Sequence, residues 1–168
     1  ADPLHILDCS PITDGAAAVL LCPLEKAKAL KGKQPIRILG VGQAGDTMAL
    51  HDRADLCAVN AVTEAAQRAY AMSGKKPADI HCCEVHDCFT PTELVLYEDL
   101  GFSERGGAWR DVLSGAFDLD GRLPVNPDGG LKSFGHPIGA SGLRMMYEMW
   151  LQLRGEAGPR QINNPKLG

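Results

Sequence analysis

The sequence predicts an α/β domain in which helices cover a mixed sheet, and three observations carry the prediction. Short apolar runs alternate along the chain with segments of helical period. Glycine, proline and small polar residues separate them. No repeat, low-complexity tract or linker divides the 168 residues. Strand–helix–strand order of this kind demands a largely parallel or mixed sheet with helices on its faces. The length suffices for one domain with a real core.

The elements follow in order. Residues 14–22 (DGAAAVLLC) read as a strand buried on both faces. Residues 23–30 (PLEKAKAL) form a short helix with proline near its start. Residues 36–43 (IRILGVGQ) alternate as a second strand, and residues 47–55 are a loop. The clearest helix spans 54–73, with Leu56, Val59, Ala66, Ala69 and Tyr70 roughly at helical spacing and Gly74 as its stop. Residues 77–79 lead into IHCCEV at 80–85, a buried strand, and then into the turn HDCF. Residues 90–100 form a helix with Thr90 as cap, Pro91 at the first position and Glu93 completing a capping box. Five glycines between 101 and 123 place turns around one amphipathic segment, 108–113. Residues 125–142 are too rich in Gly, Pro, Asn and Ser for regular structure. The closing helix, 141–154, carries Leu143, Met146, Met149, Trp150 and Leu153 on one broad face, with Met145, Met146 and Met149 expected in the core. Residues 160–167 begin a further strand.

Composition excludes several function classes. A net charge of −4 and only 5% aromatic residues argue against a nucleic-acid partner. No apolar run is long enough to span a membrane. The start, ADPLHILDCSP, has no basic stretch followed by an apolar one, so no secretory signal is expected. Six cysteines, several inside apolar runs, fit free thiols in a reducing cytoplasm. Metal is not expected, because no CxxC pair occurs and Cys82 adjoins Cys83. The basic pairs Lys31/Lys33 and Lys75/Lys76 read as solvated surface, as do His5 and His51.

Two segments can carry chemistry. The first is Cys82, Cys83, Glu84, His86, Asp87 and Cys88, at a strand end leading into a helix. Ligands of α/β sheets bind beyond such ends, and a helix amino terminus favours a thiolate. Cys88 can thus be a reactive thiol, and His86 can polarise an oxygen or hold a water. The competing reading makes the three cysteines small core residues and His86 a loop histidine; for Cys82 and Cys83 it is preferred. The second segment is NPDGGLKSFGHPIGASG, residues 126–142. Its glycines allow close backbone approach, and Gly139-Ala-Ser-Gly opens a helix whose N–H groups face outward. His136 just before it suits a base or an oxyanion donor, or else a solvated histidine in a structural turn.

Together, HDCF, NPDGG and GHPIGASG resemble the thiolase superfamily, most closely its sterol-carrier-protein-2-type thiolases and archaeal and bacterial acyl-CoA acetyltransferases. DCSPITDGAAAVLL at 8–21 is similar to the thiolase segment joining two halves, so residues 1–30 are expected to be that junction. INNPKLG at 162–168 resembles the stretch before the last strands. The resemblance implies a thiolase carboxy-terminal domain over 1–168, lacking its last strands. It implies thiolytic cleavage of a 3-oxoacyl-CoA, or the reverse Claisen condensation, through an acyl-cysteine. By motif, His136 activates the nucleophile and helps form the oxyanion hole. His86 supports that hole, Cys88 moves the α-proton, Phe89 lines the acyl channel, and Ser141 and Gly139 lie against the substrate. Coenzyme A thioester is then substrate, with no tightly bound cofactor. None of Cys9, Cys22 or Cys57 matches the family's nucleophile, so an amino-terminal half or another subunit is the expected partner, in a homo- or hetero-oligomer.

Overall fold

The computed structural model describes residues 2–30, 32 and 35–168; Lys31 and Lys33 lie outside the described residues. Six α-helices occur there: α1 (Leu24–Ala29), α2 (Asn60–Ser73), α3 (Thr90–Asp99), α4 (Ala108–Leu113), α5 (Gly130–Phe134) and α6 (Ser141–Arg154). Short 3₁₀ turns at Ile6–Asp8, Leu50–Asp52, Pro77–Asp79 and Gly158–Arg160 link them.

The expected sheet is present only as its seeds. Among the described residues the β pairing consists of two isolated bridges, Cys9 opposite Phe89 (antiparallel) and Cys83 beside Val125 (parallel). Residues 80–85 meet two other stretches of the chain. His81 N–H donates to the Leu167 carbonyl at 2.9 Å, and Cys83 N–H to the Pro124 carbonyl at 3.0 Å. Residues 14–22 and 36–43 form no ladder. Leu20 is 87% exposed and Val41 61%, against the sequence expectation that 14–22 is buried on both faces. A strand needs lateral partners for its N–H and C=O groups, and the described residues offer none to these two segments.

The core lies between the 80–85 segment, α3, α4 and the chain around 117–125. Val85, Leu96, Tyr97, Phe102, Ala108, Phe117, Leu123 and Val125 are buried together. The Tyr97 and Phe117 rings stack with centroids 4.0 Å apart. α2 lies along residues 40–42 because glycine leaves room there. A Cβ on Gly42 would sit 1.8 Å from the Ala65 carbonyl oxygen, and one on Gly40 2.4 Å from that of Ala69.

Several element boundaries differ from the sequence reading. α2 begins at Asn60 rather than at 54. The Asp55 carboxylate takes the Cys57 N–H at 2.7 Å, a local turn that competes with helix. Asp99 of α3 takes the Val59 N–H at 2.8 Å, and Asp46, distant in sequence, accepts from Ala61 N–H at 3.4 Å. The expected capping box of α3 is absent. Thr90 is already helical and its hydroxyl donates to Asp8, while Glu93 accepts from the Tyr97 hydroxyl at 2.7 Å.

α6 keeps its predicted bounds but buries a polar stripe, Ser141, Glu148 and Gln152. Glu148 pairs with Arg160 at 2.8 Å, and the Gln152 amide oxygen accepts from Ile162 N–H at 2.9 Å. This network lashes residues 156–162 onto the helix. Of the three methionines placed in the core, Met146 is 40% exposed, whereas Met145 and Met149 are half-buried.

Candidate active site

The site is built where the 80–85 segment ends. Val85 is buried at the edge of the core, and the chain then turns outward through His86, Asp87, Cys88 and Phe89 into α3. From the other side, α5 and the loop 135–140 deliver His136 to the same place. The His86 and His136 rings meet edge to face, with centroids 4.8 Å apart and planes at 78°. Two histidines fifty residues apart in the chain therefore share one spot.

Ser141 anchors the His136 ring. Its hydroxyl oxygen lies 2.7 Å from His136 Nδ1. The same oxygen lies 3.1 Å from the Pro137 carbonyl, which also accepts from Ala140 N–H at 2.8 Å and Ser141 N–H at 3.0 Å. Ser141 is 2% exposed, which makes the anchor a dry one. Burial, and next the neighbouring His136, push the His86 pKa below the ordinary histidine value. Both effects favour a neutral His86 ring.

Cys88 sits in the same turn as His86 and is half-buried. Its carbonyl accepts from Ser10 N–H at 2.9 Å, while the described residues give its thiol no hydrogen-bond partner. Phe89 is 49% exposed beside this turn. Gly139 lines an open groove of about 420 Å³ between residues 13–17 and Pro137, Ile138 and Ala140. Residues 9–13 thread the site together: Pro11 accepts from His136 N–H at 3.3 Å, and the Lys132 ammonium donates to the Cys9 carbonyl at 2.9 Å. Cys82 is fully buried against Met149, and burial raises both the Cys82 and Cys83 thiols to about 12, which suits packing residues.

The structure gives Asp87, Gly130 and Asn126 roles that the sequence reading did not assign. Asp87 accepts the Leu131 N–H at 2.9 Å and so holds the start of α5. Gly130, at φ 63°, must be glycine, since a Cβ there would lie 2.2 Å from the Asp87 carboxylate. Asn126, also in the left-handed region at φ 48°, accepts from Val85 N–H at 2.8 Å and donates to Glu93 at 3.1 Å. Thus the motifs HDCF and NPDGG are stitched together by their own side chains. The available signal was the Asn-Pro-Asp-Gly-Gly turn itself, whose Asn and Asp favour local backbone bonds. No group of three His, Cys, Asp or Glu side chains stands in a metal-ligating arrangement among the described residues. Nor, among them, is any helix long and apolar enough to cross a membrane.

Known proteins resemble this chain in sequence and in fold. A family described as thiolase C-terminal domain-like matches residues 42–168. The chain is 48% identical to an acetyl-CoA acetyltransferase of Methanothermobacter thermautotrophicus, over all of this chain and 44% of that protein. It is 39% identical to sterol carrier protein 2 of Oryctolagus cuniculus, over 99% of this chain and 31% of that one. The solved structure described as Ltp2-ChsH2(DUF35) aldolase superposes over 99% of this chain and 43% of its own, at a TM-score of 0.76 and 28% identity. The chain thus spans less than half the length of these relatives. The matched profile, the relatives and the shared fold agree: the chain belongs to the thiolase C-terminal domain family.

Proposed function

We propose that this chain supplies the acid/base and oxyanion side of an acyl-CoA C-acyltransferase site. In this reading, residues 1–30 are the junction to a nucleophile-bearing half that lies outside these 168 residues. The observation that carries it is the His86–His136 pair, with His136 anchored through Nδ1 by the Ser141 hydroxyl. The family and the acetyl-CoA acetyltransferase relative support the chemistry.

His136 takes the proton of the nucleophilic thiol, and the resulting thiolate attacks the C3 carbonyl of a 3-oxoacyl-CoA. The C2–C3 bond then breaks, and the acyl group stays on the cysteine as a thioester until coenzyme A displaces it. The departing acyl-CoA carbanion takes its proton from Cys88. The imidazolium so formed donates to the developing oxyanion, with His86 beside it. Cys88 moves the proton at the α-carbon. Phe89 and the groove that Gly139 lines contact the acyl-CoA. Coenzyme A takes part as substrate. With the missing half supplied, Cys88→Ala should abolish exchange of the α-proton of an acyl-CoA, read by deuterium incorporation; unchanged exchange overturns the role of Cys88.

One observation favours a second reading, the fold shared with an aldolase. A retro-aldolase on this scaffold cleaves an acyl-CoA side chain without a nucleophilic cysteine. It releases an aldehyde or ketone from a 3-hydroxyacyl-CoA and consumes no free coenzyme A. Thiolysis instead consumes coenzyme A and yields two thioesters, so product analysis separates the two.

A further inference from the structure

Arg144 stands on α6, three residues beyond Ser141. Its guanidinium is enclosed by three site-bearing segments. One nitrogen donates to Glu84 at 3.3 Å, another pairs with Asp128, and the carbon between them lies 5.1 Å from the centre of the Phe134 ring. The side chains of Glu84 and Asp128 are each 2% exposed, and that of Arg144 is 15% exposed. Glu84 lies two residues before His86, and Phe134 two residues before His136. Asp128 also holds the Gly130 N–H at 2.8 Å, so it fixes the start of α5 jointly with Asp87. A planar fork of five donors can span such partners at once, whereas a lysine ammonium is one compact point on a flexible stem.

We propose that Arg144 is a positioning residue, clamping the HDCF strand end and the NPDGG turn onto the first turn of α6 and so setting the contact between His86 and His136. It touches neither ring and acts only through its partners. Its catalytic consequence rests on the role proposed above for His136; its geometric consequence does not.

Simple removal of Arg144 strands two buried carboxylates and threatens folding. The test therefore uses a neutral triple variant, Arg144→Met with Glu84→Gln and Asp128→Asn, which leaves no buried charge unpaired, beside Arg144→Lys, in the enzyme assembled with its nucleophile-bearing half. The neutral variant is expected to melt near wild type yet lose the ring-to-ring nuclear Overhauser contact between His86 and His136. Its kcat for thiolysis should fall roughly 10- to 100-fold with KM little changed, as misplacement of reacting groups predicts. Arg144→Lys should recover only part of that loss. Retention of the contact and of wild-type kcat in both variants overturns the proposal. His136→Ala run in parallel separates the two readings. If that variant still turns over, the catalytic reading fails, while the Overhauser contact still decides the role of Arg144.

Discussion

The Ser141 hydroxyl is the hydrogen-bond partner of His136 Nδ1, at 2.7 Å. Ser141→Ala removes that partner. We expect nitrogen NMR to show the balance of Nδ1-H and Nε2-H forms of His136 shifting, and kcat to fall by up to about 100-fold, the lower end of what general-base catalysis contributes. An unchanged tautomer would show that the ring is held by packing alone. Asn126 commits both ends of its side-chain amide. Asn126→Ala leaves the Val85 N–H at the core edge without its acceptor. An unsatisfied buried donor costs about 1–3 kcal/mol, so the urea midpoint should drop accordingly. Asn126→Asp restores an acceptor but sets a second carboxylate against Glu93, and should recover less than full stability.

Among the elements, the 80–85 segment carries the most unusual charge. Glu84 is buried, and that burial raises its carboxyl to about 8 although Arg144 opposes the shift. Its folded value thus exceeds the ordinary one of 4.5. Such a group contributes stability in full below the lower value, and loses it as pH rises through the upper one. Melting temperature should decline between about pH 5 and pH 9, and the decline should be shallower in Glu84→Gln; parallel profiles would exclude Glu84 as the cause. α2 depends on steric room instead. Gly42→Ala drives a methyl group into the Ala65 carbonyl. Overpacking of this kind costs about 1–3 kcal/mol, measurable as a loss of α2 protection in hydrogen exchange.

The whole molecule is asymmetric in how its apolar surface is covered. From Phe102 to Val125 the chain encloses a core, whereas Ile12, Leu20, Leu21, Met48 and Leu56 in the first third are each more than 60% exposed. These side chains are left uncovered by the rest of the chain. A chain spanning less than half of its relatives fits a surface made for further residues. Residues 14–22 and 36–43 should gain hydrogen-exchange protection when the nucleophile-bearing half is added. Unchanged protection would place the interface elsewhere.

Local residues wrote much of this protein legibly. The bounds of α6, the glycine stop after α2, and the two motifs that carry the family all rest on neighbours a few residues apart. Periodicity and turn chemistry act over that range, so reading them needs no fold. The pairing of strands was not legible in the same way, because hydrogen-bond partners come from distant parts of the chain. Nor was the capping of α2 by Asp46, or the polar stripe with which α6 holds residues 156–162. The sequence by itself marked His86, Cys88 and His136 as candidates, from their places between an apolar run and a helix start. Only tertiary structure decided that the two histidines touch, that the Ser141 hydroxyl holds Nδ1 of His136, and that Arg144 gathers three segments around them. Such contacts join residues tens of positions apart, and a packed three-dimensional arrangement alone brings them within reach.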